Sequence, residues 1–183
     1  MFTQMAEQIA QANFALPLEI PRYGPGGIPF VYPPLGHYLF SVAIKRGLSA
    51  WAYLRLVPAV FGLAALVSFY FLARELTGIR WGGLSALLLA FTAPSVFSIH
   101  LWSAGVVRGL ALALDLAGLV FYLCALRQPT WRVIIWAGIC LGLLLTTHLF
   151  YTLFAALVGF AFLLAEGKPR RALAGDGHRP AWL

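Results

Sequence analysis

Charged side chains are scarce in this sequence: Asp, Glu, Lys and Arg together make up only 10% of its 183 residues, whereas 61% are hydrophobic. A soluble domain of this length cannot bury so much apolar surface in one core, so the composition excludes an ordinary soluble enzyme and indicates a membrane protein. The net charge of +7 would suggest a nucleic-acid partner in a soluble chain. Here the basic residues fall between apolar runs, where they indicate membrane topology, and we expect no nucleic-acid partner.

Cysteine is also rare, and the common catalytic motifs are missing. Cys124 and Cys140 lie in apolar runs without a CxxC or Cys/His spacing, which predicts neither a disulfide framework nor a metal site. No GxGxxG, P-loop, zinc spacing or nucleophile elbow occurs, so the sequence offers none of the usual nucleotide-binding or hydrolase motifs. The first twenty residues contain no long apolar region, so no signal peptide is predicted.

Five apolar runs follow the first quarter of the chain, and each is near the length of about 17–25 residues that a helix needs to cross the hydrocarbon. Lipid cannot satisfy open backbone groups, so these runs are predicted to be helical. The expected fold is an all-α membrane protein, with about five transmembrane helices in residues 55–165, preceded by outward-facing juxtamembrane helices. The predicted spans are a (55–73), b (82–100), c (105–126), d (132–148) and e (149–165).

The connections between the runs alternate in charge, and this pattern predicts their sides. The b–c and d–e loops contain neither Lys nor Arg. Basic loops stay on the cytoplasmic side, so residues 1–54 and these two loops are predicted to be non-cytoplasmic in a multi-pass protein of the cell membrane. The polar tail, 166–183, is predicted to be disordered and cytoplasmic. The basic residues that follow spans a, c and e are Arg74 and Arg80, Arg127 and Arg132, and Lys168, Arg170 and Arg171.

Residues 1–54 are predicted to form an external segment with two surface helices, at about 3–15 and 34–48. Pro33 ends any regular structure before it, and Pro34 suits the first turn of the second helix. Lys45 and Arg46 interrupt that helix, so we place it in the outer interface. The alternative, a short sixth span, would move every basic loop outside, against the usual charge rule.

The few polar side chains at the outer ends of the predicted spans are the candidate substrate-binding residues. An Arg within the membrane is costly and suggests a function by default, and Arg108 lies about one turn into span c. Arg55 begins span a. Arg presents a bidentate fork to phosphate oxygens, so the two could hold an anionic lipid phosphate. The other candidates at this level are His37, Tyr38, His100 and His148.

Several of these residues also have a structural interpretation. Arg55 could extend to the outer headgroups, and a lone His is more often structural. Arg108 and Asp115 are seven residues apart on one helical face and could form an ion pair in the bundle. Gly138 and Gly142 form a GxxxG, which predicts close helix packing.

Three motifs in a fixed order carry a family resemblance. They are the Pro-Pro-Leu-Gly of YPPLGHYLF at 33–36; Arg55, Leu56, Pro58 and Gly62; and Ala73, Arg74, Leu76 and Gly78. In this order they resemble the GT-C class of membrane glycosyltransferases, which includes protein O-mannosyltransferases and lipid A aminoarabinose transferases. The later segments 103–123 and 137–157 look like bacterial members of that class, some named 6-pyruvoyl-tetrahydropterin synthase-related membrane proteins.

The resemblance implies an enzyme that transfers a sugar from a polyprenyl-phosphate donor to an acceptor on the outer face. In the class, an Asp or Glu in the first external loop acts as general base, and cationic side chains hold the donor phosphate. That carboxylate has no counterpart here, and Glu7 is the nearest replacement, so we expect a partial chain. The expected partners are membrane lipid, the lipid-linked donor, and missing N- and C-terminal parts of the same enzyme.

Two points stay open at the level of the sequence. The need for a divalent metal is one of them. The other is the class of function, because Asp115, the ionisable residue deepest in a span, is also what a transporter or lipid flippase unit would use. For the class of function, a noncatalytic membrane protein is a further alternative to the glycosyltransferase and the transporter or flippase unit.

Overall fold

The computed structural model describes residues 2–20, 27–30, 32–92 and 105–166, and these residues form an almost entirely helical protein. The exception within these ranges is a short antiparallel ladder in which Glu19–Ile20 pairs with Ile28–Pro29. The helices of the described residues are α1 (Phe2–Gln11), α2 (Leu35–Lys45), α3 (Ala50–Thr77), α4 (Arg80–Thr92), α5 (Gly105–Arg127), α6 (Trp131–Leu145) and α7 (Leu149–Glu166).

Three helices are long and apolar enough to cross a membrane: α3, α5 and α7, with 28, 23 and 18 residues. Helix α6 is apolar but has 15 residues, which span about 22 Å and fall short of a hydrocarbon core of about 30 Å. Helix α4 has 13 residues, and the rest of predicted span b, 93–100, lies outside the described residues. The structure therefore shows an all-α architecture with three membrane-length helices, and the count of about five spans stays a prediction.

Helix α3 is longer than predicted span a at both ends. It starts at Ala50 because Ser49 caps it: the Ser49 hydroxyl accepts the backbone N–H of Ala52 at 3.2 Å. It ends at Gly78, whose φ of 71° permits the left-handed turn that stops a helix. Arg55 consequently lies in the second turn of α3 and does not begin the helix, as the sequence had predicted.

The two N-terminal helices are shorter than predicted. Helix α1 ends at Gln11, because Asn13 and Phe14 adopt positive φ angles of 51° and 67°. Helix α2 ends at Lys45, before Gly47 with a φ of 87°. A left-handed backbone cannot continue a right-handed helix, so the predicted ends at about 15 and 48 were too late.

Helices α3, α5 and α7 run in the same direction. Tyr53 near the start of α3 packs with Val106 at the start of α5. Leu72 near the end of α3 packs with Leu123 near the end of α5. The last residue of α7, Glu166, hydrogen-bonds the last residue of α5. We call the end where these three helices begin the N-terminal end of the bundle, and the opposite end its C-terminal end.

Helices α4 and α6 run the opposite way. On α6, Leu141 lies against Gly118, and Leu144 packs with Ala111 further towards the start of α5. Helix α4 turns back along α3, so that Gly83 lies beside Tyr70. The α3–α4 and α5–α6 connections therefore share the C-terminal end. This agrees with the alternation of basic loops, while the side of the membrane on which they lie stays a prediction.

Helices α1 and α2 form a packed pair on the N-terminal end. Met5, Ala6 and Ile9 are buried on α1. Phe40 of α2 stacks on Tyr53 of α3, with ring centroids 4.2 Å apart. Three polar contacts join the pair: Ser41 Oγ donates to the Ala6 carbonyl, Tyr38 donates to the Phe14 carbonyl, and Lys45 donates to the Asn13 side chain. One face of α2 thus packs on protein.

Candidate functional site

The Pro-Pro corner touches two other parts of the N-terminal end. The backbone N–H of Leu35 donates to the carbonyl of Thr146, in the α6–α7 turn, at 3.0 Å. A Cβ at Gly36 would lie 2.9 Å from Cγ2 of Val107, so glycine allows α2 to approach the first turn of α5. The corner, the start of α5 and the α6–α7 turn therefore meet at one place.

Arg108 lies at this place, in the first turn of α5. It is partly buried, and it forms no hydrogen bond or ion pair with any described residue. The ion pair with Asp115 that the sequence allowed is not formed: both ion pairs within the described ranges involve Arg127. A partly buried guanidinium without a counter-ion is unfavourable, so Arg108 is ready to accept an anion.

His148 and Tyr151 border Arg108 from the α6–α7 turn and from α7. Their rings meet edge to face, with centroids 5.1 Å apart. Burial lowers the pKa of His148, and the positive charge of Arg108 lowers it further, so the imidazole is neutral at pH 7. Its Nδ1 is buried and has no hydrogen-bond partner among the described residues. A neutral imidazole can still donate one N–H to a bound oxygen.

Asp115 lies two turns further along α5, on the same face as Arg108. It is 1% exposed, and Oδ1 lacks a hydrogen-bond partner within the described part of the chain. The Tyr151 side chain interacts electrostatically with both Arg108 and Asp115. We call these four residues, Arg108, Asp115, His148 and Tyr151, the polar cluster.

An apolar cavity of about 340 Å³ lies between α5, α6 and α7. Its walls include Leu119, Leu144 and Ala155. Leu144 and Ala155 also pack with Ala111 and Tyr151, so the cavity adjoins the polar cluster on the side away from the N-terminal end. Volumes of this order suit small ligands or a segment of a hydrocarbon chain.

His37 is close to the Pro-Pro corner but is not open to a substrate. Its side chain is 1% exposed. The ring stacks on Phe2 at 5.5 Å and meets the edges of Phe30 and Tyr32. Burial lowers its pKa to about 4, so it is neutral at physiological pH. The structure gives His37 the role of holding α1, Phe30 and Tyr32 on α2.

The remaining predicted site residues do not join the polar cluster. The Tyr38 hydroxyl donates a hydrogen bond to the Phe14 carbonyl at 3.2 Å. Arg55 is exposed, and no described residue pairs with it. Glu7 is exposed on α1, and no described contact links it to Arg108. The prediction for His100 falls outside the described residues.

Three charged residues that were not among the predicted site residues form a network at the C-terminal end; of these, Arg127 had been named only as a topology signal. Arg127 Nε and Nη2 donate to Glu166 Oε1 at 3.0 and 2.8 Å, and Nη1 donates to the Glu75 carbonyl. The network joins the last turns of α3, α5 and α7. One signal was present in the sequence: an acid at the end of span a and another at the end of span e, with Arg127 ending span c.

Neither a metal nor a known relative identifies the site. Within the described ranges, no three His, Cys, Asp or Glu side chains are placed to hold a metal ion. Comparisons with protein-family models, with curated proteins and with solved structures find no match. The function is therefore argued from the polar cluster and its surroundings.

Proposed function

We propose that this chain is part of a GT-C-like membrane glycosyltransferase, which takes a sugar from a polyprenyl-phosphate donor and gives it to an acceptor on the non-cytoplasmic side. In this proposal α4 and α6 are the second and fourth of five crossings. The N-terminal end then faces outwards, with the α1–α2 pair lying over it. The order of the three sequence motifs and the charge alternation of the loops support this assignment.

The observation that carries the proposal is the guanidinium of Arg108, which has no hydrogen-bond or ion-pair partner among the described residues. A phosphodiester would supply the charge that Arg108 lacks, through two parallel hydrogen bonds. The partial positive charge at the start of α5 favours an anion at the same position. His148 can add one neutral N–H donor. Together these groups suit one phosphate better than a neutral headgroup.

The apolar cavity gives the donor's chain a place next to its phosphate. A polyprenyl chain leaving Arg108 towards the bilayer centre would meet the cavity between α5 and α7 first. Beyond it the chain would continue into lipid along the exposed apolar surface of α7, which includes Leu153, Leu157 and Phe160. A water-soluble phosphate has no apolar chain to bury against the cavity and the α7 surface, so the arrangement favours a phosphate carried by a lipid.

The chemical step that Arg108 assists is departure of the phosphate. As the bond from the sugar to the phosphate oxygen breaks, negative charge grows on the phosphate, and a fixed guanidinium stabilises it more in the transition state than in the ground state. A carboxylate that removes the acceptor's proton is the other requirement. Glu7 is the candidate for this carboxylate among the residues of this sequence.

Binding of a donor analogue to the full chain tests the proposal. The chain is placed in phosphatidylcholine nanodiscs, and binding of undecaprenyl methyl phosphate, a phosphodiester, is measured by native mass spectrometry. We expect Arg108→Gln to weaken binding by about ten- to hundredfold, as expected for loss of charge-assisted hydrogen bonds. Arg55→Gln is the matched control, because it removes the same charge from an exposed site.

The comparison of the two variants decides the outcome. Loss in Arg108→Gln with retention in Arg55→Gln supports the phosphate site. Equal losses would mean that only the net charge of the protein matters. Unchanged binding in Arg108→Gln would remove Arg108 from the proposal altogether.

A further inference from the structure

Asp115 is the member of the polar cluster that phosphate binding does not use. Its carboxyl is 1% exposed, inside an apolar helix bundle. Oδ1 finds no hydrogen-bond donor among the described residues. Unpaired ionisable groups at membrane depth are expensive and are rarely retained without a use. A second feature makes its position informative: Asp115 shares one face of α5 with Arg108, which also has no partner in the part of the chain that the structure describes.

The separation of the two side chains rules out a direct contact but not an electrostatic one. Seven residues of helix correspond to about 10 Å along the axis. Tyr151 of α7 interacts electrostatically with both groups, so its side chain lies near each of them. Among the described residues, the titratable and charged side chains near this half of α5 are Arg108 on α5 itself, Tyr151 on α7, His148 in the α6–α7 turn, Cys140 on α6 beside Gly118, and Tyr53 on α3 beside Val106.

We propose that Asp115 makes anion binding at Arg108 proton-coupled: the carboxylate weakens the site, and a proton bound to Asp115 strengthens it. The proposal rests on the anion site proposed above. Its direction follows from the charges. The Arg108 cation stabilises a carboxylate at Asp115, and an anion bound to Arg108 removes that stabilisation, so the anion favours uptake of a proton. Linkage requires the reverse effect, tighter anion binding when Asp115 is protonated.

The expected size follows from the separation. Unit charges about 10–14 Å apart, at the effective dielectric of about 20 that suits partly buried sites, change affinity by about seven- to seventeenfold. Such coupling would let the site hold a lipid phosphate while Asp115 is neutral and release it when the proton leaves. A rise in external pH would then favour release.

The test measures binding of undecaprenyl methyl phosphate to the full chain in phosphatidylcholine nanodiscs between pH 5.5 and 8.5. This phosphodiester keeps one negative charge over the whole range, so the probe contributes no pH dependence. In the wild type we expect affinity to fall by about tenfold as pH rises. Asp115→Asn mimics the protonated form and is expected to bind tightly at every pH.

His148 is the competing source of pH dependence, because it also adjoins Arg108 and carries an imidazole. His148→Gln is therefore measured in parallel, and it should keep the wild-type fall of affinity with pH. A fall that survives in Asp115→Asn and vanishes in His148→Gln would overturn the proposal and leave the anion site standing.

The other outcomes separate the two proposals. Wild-type binding that depends on Arg108 but is constant with pH would refute the coupling alone. If the wild type does not bind the probe, or if Arg108→Gln does not reduce the binding, the phosphate site is refuted. The proposed coupling is then refuted with it. Circular dichroism of each variant in the same nanodiscs identifies any loss of fold, in which case Asp115→Ser replaces Asp115→Asn.

Discussion

Acid is expected to release α1 from α2 through a single side chain, His37. Its ring is enclosed by Phe2, Phe30 and Tyr32 and is 1% exposed, and burial lowers its pKa from 6.5 to about 4. When α1 separates, His37 is hydrated and regains its ordinary pKa. The packed state therefore binds the proton more weakly than the separated state. Its stability is complete above about pH 6.5 and is lost as pH falls towards 4.

The two pKa values give the size of the effect. Between pH 7.5 and pH 5, the packed state loses about 2 kcal/mol relative to the separated state, and the loss approaches about 3 kcal/mol below pH 4. A change of 2 kcal/mol corresponds to about thirtyfold in the fraction of molecules with α1 released. The hydrogen bond from Ser41 to the Ala6 carbonyl involves no ionisable group, so it does not contribute to this pH dependence.

Hydrogen exchange of the α1 amides, followed by mass spectrometry, measures this release. Exchange rates are corrected for the intrinsic effect of pH, and peptides covering α3 serve as the internal reference. We expect protection of residues 2–11 to fall about thirtyfold from pH 7.5 to pH 5. The variant His37→Phe keeps an aromatic ring in the enclosure and cannot be protonated, so its α1 protection should be constant. Equal pH dependence in His37→Phe and the wild type would refute the reasoning.

Two further predictions concern packing. Arg127→Gln removes the cation that pairs with the partly buried carboxylates of Glu75 and Glu166, so we expect the free energy of unfolding to fall by about 2–3 kcal/mol, measured as a lower thermal midpoint in detergent. Adding Glu166→Gln should recover part of this loss. An unchanged midpoint in Arg127→Gln would contradict a stabilising role for the network. Gly36→Ala forces its new Cβ to within 2.9 Å of Val107 and should cost about 1–3 kcal/mol. Val107→Ala should restore that loss, and a Gly36→Ala variant as stable as the wild type would show that α2 does not approach α5 so closely.

The sequence predicted the helical class well, because apolar runs of membrane length can satisfy their backbone only as helices. Predicted span c (105–126) and α5 (Gly105–Arg127) differ by one residue, since Gly105 and Arg127 mark sharp changes in composition. Predicted span a missed the start of α3, because its first turn contains the polar cap Ser49 and mixed residues that do not raise hydropathy. Hydropathy locates the buried part of a helix and is insensitive to turns that extend beyond lipid.

The candidate site was predictable in part. Arg108 and His148 were identified because polar groups stand out in apolar runs. The enclosure of His37 was not foreseen, since it depends on the stacking of Phe2, which is distant in sequence. The GxxxG also misled: no atom lies within 4 Å of a Cβ built at Gly138 or Gly142, so these glycines pack against nothing in the described part of the chain.

The two ends of the bundle differ in how their arginines are paired with other described residues. At the C-terminal end, Arg127 of α5 is bonded by two carboxylates and a carbonyl from α3 and α7, which stabilises the parallel arrangement of these three helices. At the N-terminal end, Arg108 and Asp115 are both unpaired within the described residues, although one helical turn of displacement would have brought them together. A bundle selected only for stability would pair them, because an ion pair costs less than two isolated charges. In the two proposals above, a bound anion would neutralise Arg108 and a bound proton would neutralise Asp115, which would offset the cost of keeping the two groups apart.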